Sequence, residues 1–257
     1  MGYDINIIGL WTIFRRELHR TRQVMLQAVL SPTISTVLYF VVFGAAMGTN
    51  IQISESIHYG NFIVPGLIMM ALITNALSAA SSGIYFPRFT GTIVDLITAP
   101  ISHIEIILGY ALGATVRATL IGTLVYIASI LFIFTPIAHP FLAILFILLS
   151  SFAFSLLGVL VGIWAKDFEQ LSLFPMLVVM PLSFLGGVFY SIDMLPPAWK
   201  IATLINPIYY MVDGLRYAMI DTATTNPFIS LATLVGITFI LWFVLANMFS
   251  RGYGMRT

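Results

Sequence analysis

The chain has 257 residues, of which 60% are hydrophobic and only 8% charged, against roughly 25% charged in an ordinary soluble domain. A mean hydropathy of +1.02 marks a polytopic membrane protein, and a net charge of +1 lacks the concentrated basic surface that a nucleic-acid partner requires. Cysteine is absent, which excludes a disulfide framework and any thiolate metal site.

Residues 5–22 place Ile7, Leu10, Trp11, Phe14 and Leu18 beside Arg15, Arg16, Glu17, Arg20 and Arg22, so apolar and basic residues take opposite faces of a helix. That pattern predicts a helix lying in the membrane interface, in contact with lipid, rather than a cleaved signal. The first predicted span is 24–48, followed by a polar loop at 49–60 and a second span at 61–86 that carries Asn75. Residues 87–105 interrupt the apolar pattern with Arg88, Asp95 and Glu105, which are too costly for mid-bilayer and belong in water or headgroups. Within them Ile93, Leu96 and Ile97 recur at helical spacing between Gly91 and Pro100, predicting a short amphipathic surface helix suited to a partner's groove.

The third span covers 106–134 and contains one charge, Arg117. Two readings of it stay open: an anion or headgroup contact on a translocation path, and a structural arginine bonded to carbonyls or snorkelling. The fourth span is 141–164, and the fifth is 171–190, expected to be broken at Pro175 and Pro181. Residues 191–226 hold too many charges and too short helical pieces to cross a bilayer, and predict a helical hairpin dipping into one interface, broken at Asn206-Pro207. Asp213 and Arg216, three apart, are placed to pair on one helical face. The last span is 227–250. The glycine pairs 109/113 and 158/162 predict close helix packing within one subunit.

Six spans put both termini on one side. The segments sharing that side carry Arg15, Arg16, Arg20, Arg22, Arg88, Lys166, Arg251 and Arg256, against Lys200 and Arg216 opposite. The positive-inside rule therefore places both termini and residues 87–105 in the cytoplasm and the hairpin outside.

No catalytic or metal site stands out. The four histidines fall in predicted loops or in the interfacial helix, and Ser81 and Ser82 have no base beside them. No phosphate-binding glycine loop is present, so the chain is read as a non-enzyme without an ATP site of its own. None of the six predicted spans contains aspartate or glutamate, which disfavours an ion-coupled carrier and points to energy from a separate ATPase. A secondary carrier or channel, or a scaffold that transports nothing, remains the alternative.

The order of elements, together with Phe89-Thr90-Gly91-Thr92-Ile93-Val94-Asp95-Leu96-Ile97-Thr98-Ala99-Pro100, Asn61-Phe62-Ile63-Val64-Pro65-Gly66 and the run from Asn206 to Tyr217, resembles the permease subunit of the ABC type-2 exporter family. The resemblance covers the whole chain as a single domain. It implies an all-α membrane fold of six transmembrane helices with an N-terminal elbow helix, a cytoplasmic coupling helix and an external re-entrant helical hairpin. It further implies a bacterial inner-membrane location, a second permease copy forming a homodimer, and two cytoplasmic ABC ATPase subunits that bind the ATP and magnesium. On that reading Arg88, Phe89, Thr90, Thr92, Ile93, Asp95, Leu96, Ile97 and Pro100 couple to the ATPase, and Phe14, Arg15, Arg16 and Glu17 add contacts from the elbow. From the residues themselves, Tyr39, Phe43, Asn75 and Arg117 are candidates to line the path, with simple packing in the span as the alternative for the two aromatics, and Asn206, Pro207, Asp213 and Arg216 belong to the external hairpin. Family cargoes are amphiphiles such as drugs, lipids, glycolipids and polysaccharides, moved outward by alternating access.

Overall fold

Long apolar runs must satisfy every backbone N–H and C=O within the segment once water is gone, and helices are the economical way to do so. The computed structural model describes residues 6–39, 41–42, 52–54 and 57–251. Their helices are α1 (Ile7–Gln23), α2 (Met25–Tyr39), α3 (Tyr59–Phe89), α4 (Ile93–Thr98), α5 (His103–Ile130) and α6 (Pro140–Trp164). They continue with α7 (Phe168–Phe174), α8 (Met180–Leu185), α9 (Pro197–Ile205), α10 (Pro207–Ile220) and α11 (Pro227–Ser250).

Among the described residues five helical stretches are long and apolar enough to cross a bilayer: α3, α5, α6, the continuous stretch Phe168–Leu185 and α11. Of the predicted first span, the described helical part is α2, which has 15 residues, and residues 40 and 43–51 lie outside the described part. The fifth span is not broken at its prolines. Pro175–Val179 adopts one wider π-helical turn between α7 and α8, which accommodates the missing proline amides without ending the helix. The loop expected before α3 holds a small antiparallel pair, β1 (Gln52–Ser54) with β2 (Ile57–His58).

Two spans begin earlier than predicted, and this corrects the expectation that they are free of acids. Glu105 lies in the first turn of α5 and Glu169 in the first turn of α7. Glu105 is buried, and it is there as a cap: Ser102 Oγ accepts from Glu105 N at 3.4 Å while Glu105 Oε2 accepts from Ser102 N at 2.9 Å. Such a reciprocal box satisfies two amides that the helix start leaves open.

α3 is the centre of the bundle and packs along both α6 and α5. Close approach is set by glycine. A Cβ at Gly158 would fall 2.5 Å from Leu77 O, and one at Gly162 would fall 2.5 Å from Ser81 O, so the α3–α6 seam admits no side chain there. Gly109 and Gly113 do the same for α5 against Ile13 and Glu17 of α1. Both glycine pairs thus serve packing within the chain, as read from the sequence.

The interior divides into two apolar clusters. One gathers Tyr59, Phe62, Leu67, Phe146, Ile208 and Leu215 toward one end of the bundle. The other gathers Ile13, Ile84, Ile107, Val159, Ile163 and Phe249 toward the opposite end, where α1 and α4 lie.

Candidate functional site

Three features converge at the α1/α4 end. α3 ends at Phe89, and Gly91 turns the chain with a φ of +77°, a conformation that glycine adopts without Cβ strain. α4 then buries Ile93 and packs half-buried Leu96 against the cluster that includes Ile13, while Thr92, Val94, Asp95 and Thr98 face outward. Pro100 is exposed, Thr90 Oγ1 lies 3.0 Å from Thr92 Oγ1, and the Ile97 side chain lies outside the described part.

The chain around Pro100 is held by α1. Asn6 caps α1 by accepting from Gly9 N at 2.9 Å, donates from Nδ2 to Pro100 O at 3.1 Å, and donates its backbone N–H to Glu105 Oε1 at 2.7 Å. One asparagine therefore ties the starts of α1 and α5 to the end of the α4 turn. Ile101 closes the same joint, with its side chain 3.0 Å from where a Cβ on Gly9 would stand. The sequence offered Asn6 no distinguishing signal beyond its type at a helix start.

Not every residue expected to face a partner does so. Arg88 turns inward and donates from one guanidinium nitrogen to Gly162 O at 2.8 Å and to Ile163 O. It thereby caps the open carbonyls at the end of α6, where a cation also meets the negative pole of the helix. Glu17 is buried too, pairs with Arg20 at 2.8 Å, and fills the notch at Gly113. Burial raises the Glu17 carboxyl above its ordinary range, with Arg20, Arg16 and Arg117 pulling the other way. Arg15 and Arg16 remain exposed and Phe14 half-buried against Trp11, at 5.4 Å between rings.

An aromatic patch was not foreseen. Phe168, the first residue of α7, sits edge-on to Phe89 at 4.8 Å and to Tyr85 at 4.9 Å, and lies 5.5 Å from Phe86. Phe89 and Phe168 stay 64% and 43% exposed, so the patch extends the outward surface beside α4. A phenylalanine between Asp167 and Glu169, in a segment otherwise polar, was the available clue.

A second feature lies along the bundle. A cavity of about 210 Å³ opens between α2, α3 and α8, bordered among others by Ser31, Thr36, Tyr39, Thr74, Asn75 and Met180. It brings together two expected path residues, Tyr39 and Asn75. Phe43 lies outside the described residues. Arg117 does not line this cavity. It stands one turn beyond Gly113 on α5, within the electrostatic reach of Glu17, and its Nε is buried without a hydrogen-bond partner among the described residues.

At the opposite end the hairpin breaks where expected. Asn206 Oδ1 accepts from Ile208 N at 3.0 Å, its Nδ2 donates to Leu182 O at 2.6 Å, and Pro207 begins α10. The expected Asp213–Arg216 pair is not made. Asp213 turns to accept from Thr224 N and Thr225 N at 3.0 and 2.9 Å. Arg216 instead donates to Gly187 O at 2.7 Å and lies 3.7 Å above the Phe62 ring. Spacing alone suggested the pair; backbone donors meet Asp213 and a backbone acceptor meets Arg216 instead. Burial raises the Asp213 carboxyl and pushes Arg216 down to about 10, each opposed by the charge of the other.

The described residues form a helical bundle with five stretches able to cross a membrane and a short outward-facing helix after the longest of them, and the comparisons say which family builds such a chain. Residues 9–220 match the model of the ABC-2 type transporter family, and the chain belongs to that family. It is 35% identical over 250 residues to the inner membrane transport permease YadH of Escherichia coli K12, covering 97% of this chain and 98% of the relative. It is also 25% identical over 227 residues to nodulation protein J of Rhizobium leguminosarum bv. viciae, covering 86% and 85%. Membership implies a multi-pass inner-membrane protein with a transport role and a partner ATPase subunit.

Proposed function

We propose that this protein is the permease of an ATP-driven exporter, moving an amphiphile outward through a path completed by a second copy of the chain. The observation that carries the reading is the α4 joint. A short helix with an exposed polar face is fastened to α1 and α5 through Asn6, so force on that face is passed to two helices at once. Two cytoplasmic ATPase subunits bind ATP and magnesium and press on Thr92, Asp95 and Thr98, with Phe89 and the exposed arginines of α1 as further contacts. Arg88 and Glu17 act inside the joint. The end bearing α1, α4 and residues 165–169 is cytoplasmic, as the lysine and arginine distribution argues, and both termini lie there, with a six-span count completed by residues 24–48.

The cargo path runs along the cavity between α2, α3 and α8. Its borders support this. α2 and the Phe168–Leu185 stretch present exposed Leu30, Ile34, Leu38, Met176 and Leu177, a surface fit for a second copy or for lipid. Isolation of the tagged chain from native membranes in mild detergent tests the reading. A nucleotide-binding ATPase is expected to co-purify in equal amount and to hydrolyse ATP in the complex. Transport by the purified chain alone, without ATP, overturns it.

A further inference from the structure

Three guanidiniums crowd one carboxylate where α1 packs on α3 and α5. Arg16, Arg20 and Arg117 all act on the charge of Glu17, and only Arg20 is paired with it, at 2.8 Å. Arg20 also donates from Nη2 to Ala79 O of α3 at 2.8 Å. Gly83 leaves room for the pair, since a Cβ there would stand 3.2 Å from both Arg20 Nη2 and Glu17 Oε2. Glu17 and Arg20 thus cancel, and the positive charges of Arg16 and Arg117 are left over.

Arg16 is exposed, whereas Arg117 is half-buried. No hydrogen bond or ion pair engages Arg117 among the described residues, and its Nε is shut off from solvent. The charges that reach it are Arg20, which repels it, and Glu17, which Arg20 already holds. A guanidinium so placed is costly unless a further anion balances it. Depth points to which anion. Ala79 stands twenty residues along α3 from Tyr59, about 30 Å at roughly 1.5 Å per residue, the thickness of a bilayer's hydrocarbon core. With the start of α3 at one edge of that core, Ala79 and the Arg20 bonded to it mark the other edge, where lipid phosphates lie. Glu17 fills the notch at Gly113, and Arg117 is one turn further in, about 6 Å, a depth from which arginine snorkels back to the headgroups.

We infer that Arg117, with Arg16 at the rim, holds the phosphate of a resident anionic phospholipid in the leaflet at the α1/α4 end, as a lasting part of the joint between α1, α3 and α5. A phosphodiester without a cation of its own supplies the missing negative charge and accepts two parallel N–H bonds from one guanidinium. A zwitterionic headgroup brings its own cation and balances the site less well. Arg117 does not border the cavity between α2, α3 and α8, so this lipid is held apart from the path read for cargo. The inference does not depend on the export reading, and it leaves Arg15 and Arg22 as the exposed α1 arginines open to the ATPase.

The full chain in lipid nanodiscs tests it without nucleotide or ATPase. Discs of phosphatidylcholine are compared with discs in which phosphatidylglycerol replaces part of it. Phosphatidylglycerol is expected to raise the thermal unfolding midpoint of the unaltered chain, and native mass spectrometry is expected to find it retained in preference to phosphatidylcholine. Arg117→Gln is expected to cut that retention about tenfold, as loss of charge-assisted hydrogen bonds implies, and the rim variant Arg16→Gln about threefold. In phosphatidylcholine alone Arg117→Gln is expected to unfold no earlier than the unaltered chain, because it removes a charge without a partner; with phosphatidylglycerol it unfolds earlier. An arginine that only braces the fold would lower the midpoint equally in both lipids, and that outcome overturns the inference. Unchanged retention in Arg117→Gln, or a phosphatidylglycerol gain shared in full by both variants, overturns it as well. Displacement of the lipid by inorganic phosphate would name a soluble anion as the occupant, and its release on adding the ATPase with ATP would name it cargo; either result contradicts a resident lipid. Should Arg117→Gln fail to insert, Arg16→Gln and the charge-keeping Arg117→Lys carry the same comparison, with most of the gain expected to survive in the lysine variant.

Discussion

The two ends of the bundle handle charge in opposite ways. At the α9/α10 end Asp213 and Arg216 are buried, and each is satisfied by backbone of another segment. At the α1/α4 end buried Glu17 and Glu105 and half-buried Arg88 cap helices and fill notches, while Asp95, Arg15 and Arg16 are left facing out. The first arrangement closes a structure on itself. The second builds a firm joint and leaves its outer face for something else to hold.

The sharpest way to break the closed end is Arg216→Met. It leaves Gly187 O without its donor and Asp213 without the nearby positive charge, so a loss of about 3–5 kcal/mol is expected. The midpoint of thermal unfolding in lipid nanodiscs measures it; a change as small as that of an ordinary surface substitution would dissolve the contrast between the ends.

At the open end Arg88→Met removes a cap rather than a partner contact. A loss of about 1.5–3 kcal/mol is expected from hydrogen bonds between a charged donor and carbonyls, with faster hydrogen exchange confined to the last turn of α6. Normal exchange there, with loss of ATPase binding, would return Arg88 to the partner surface.

The smallest effect expected belongs to Glu17. Its carboxyl is raised in the folded chain, so the folded state holds a proton more readily than the unfolded one. Stability then falls as pH rises from the ordinary glutamate range to the raised folded value, and is flat beyond it. Glu17→Gln is expected to remove that slope in unfolding midpoints measured across pH 4–8, at about one proton's worth of dependence. An identical slope in both proteins would assign it to another group.

Much of this was legible in the sequence because the bilayer constrains it strongly. Apolar runs, charge interruptions and the Asn206-Pro207 break marked α3, α5, α6, α11 and the hairpin within a few residues, and α11 to the residue. What the sequence could not carry was the choice of partner for each polar side chain. Asp213 and Arg216 are spaced to meet, yet their acceptors and donors come from Thr224, Thr225 and Gly187, which only the packed fold brings near. Arg88 looked like a surface cation for the same reason, since the end of α6 lies 74 residues away along the chain. Proline likewise misled in the fifth span, where a π-turn absorbs the gap that a break was expected to leave.

The central claim is that the outer face of α4 is a coupling surface rather than part of the folded core. Asp95 is exposed and has no side-chain bond among the described residues, so Asp95→Arg tests it directly in proteoliposomes holding the chain with its ATPase. The account predicts an unfolding midpoint equal to that of the unaltered chain, with ATP-dependent amphiphile export lost. Export at the normal rate from a stably inserted variant would contradict it.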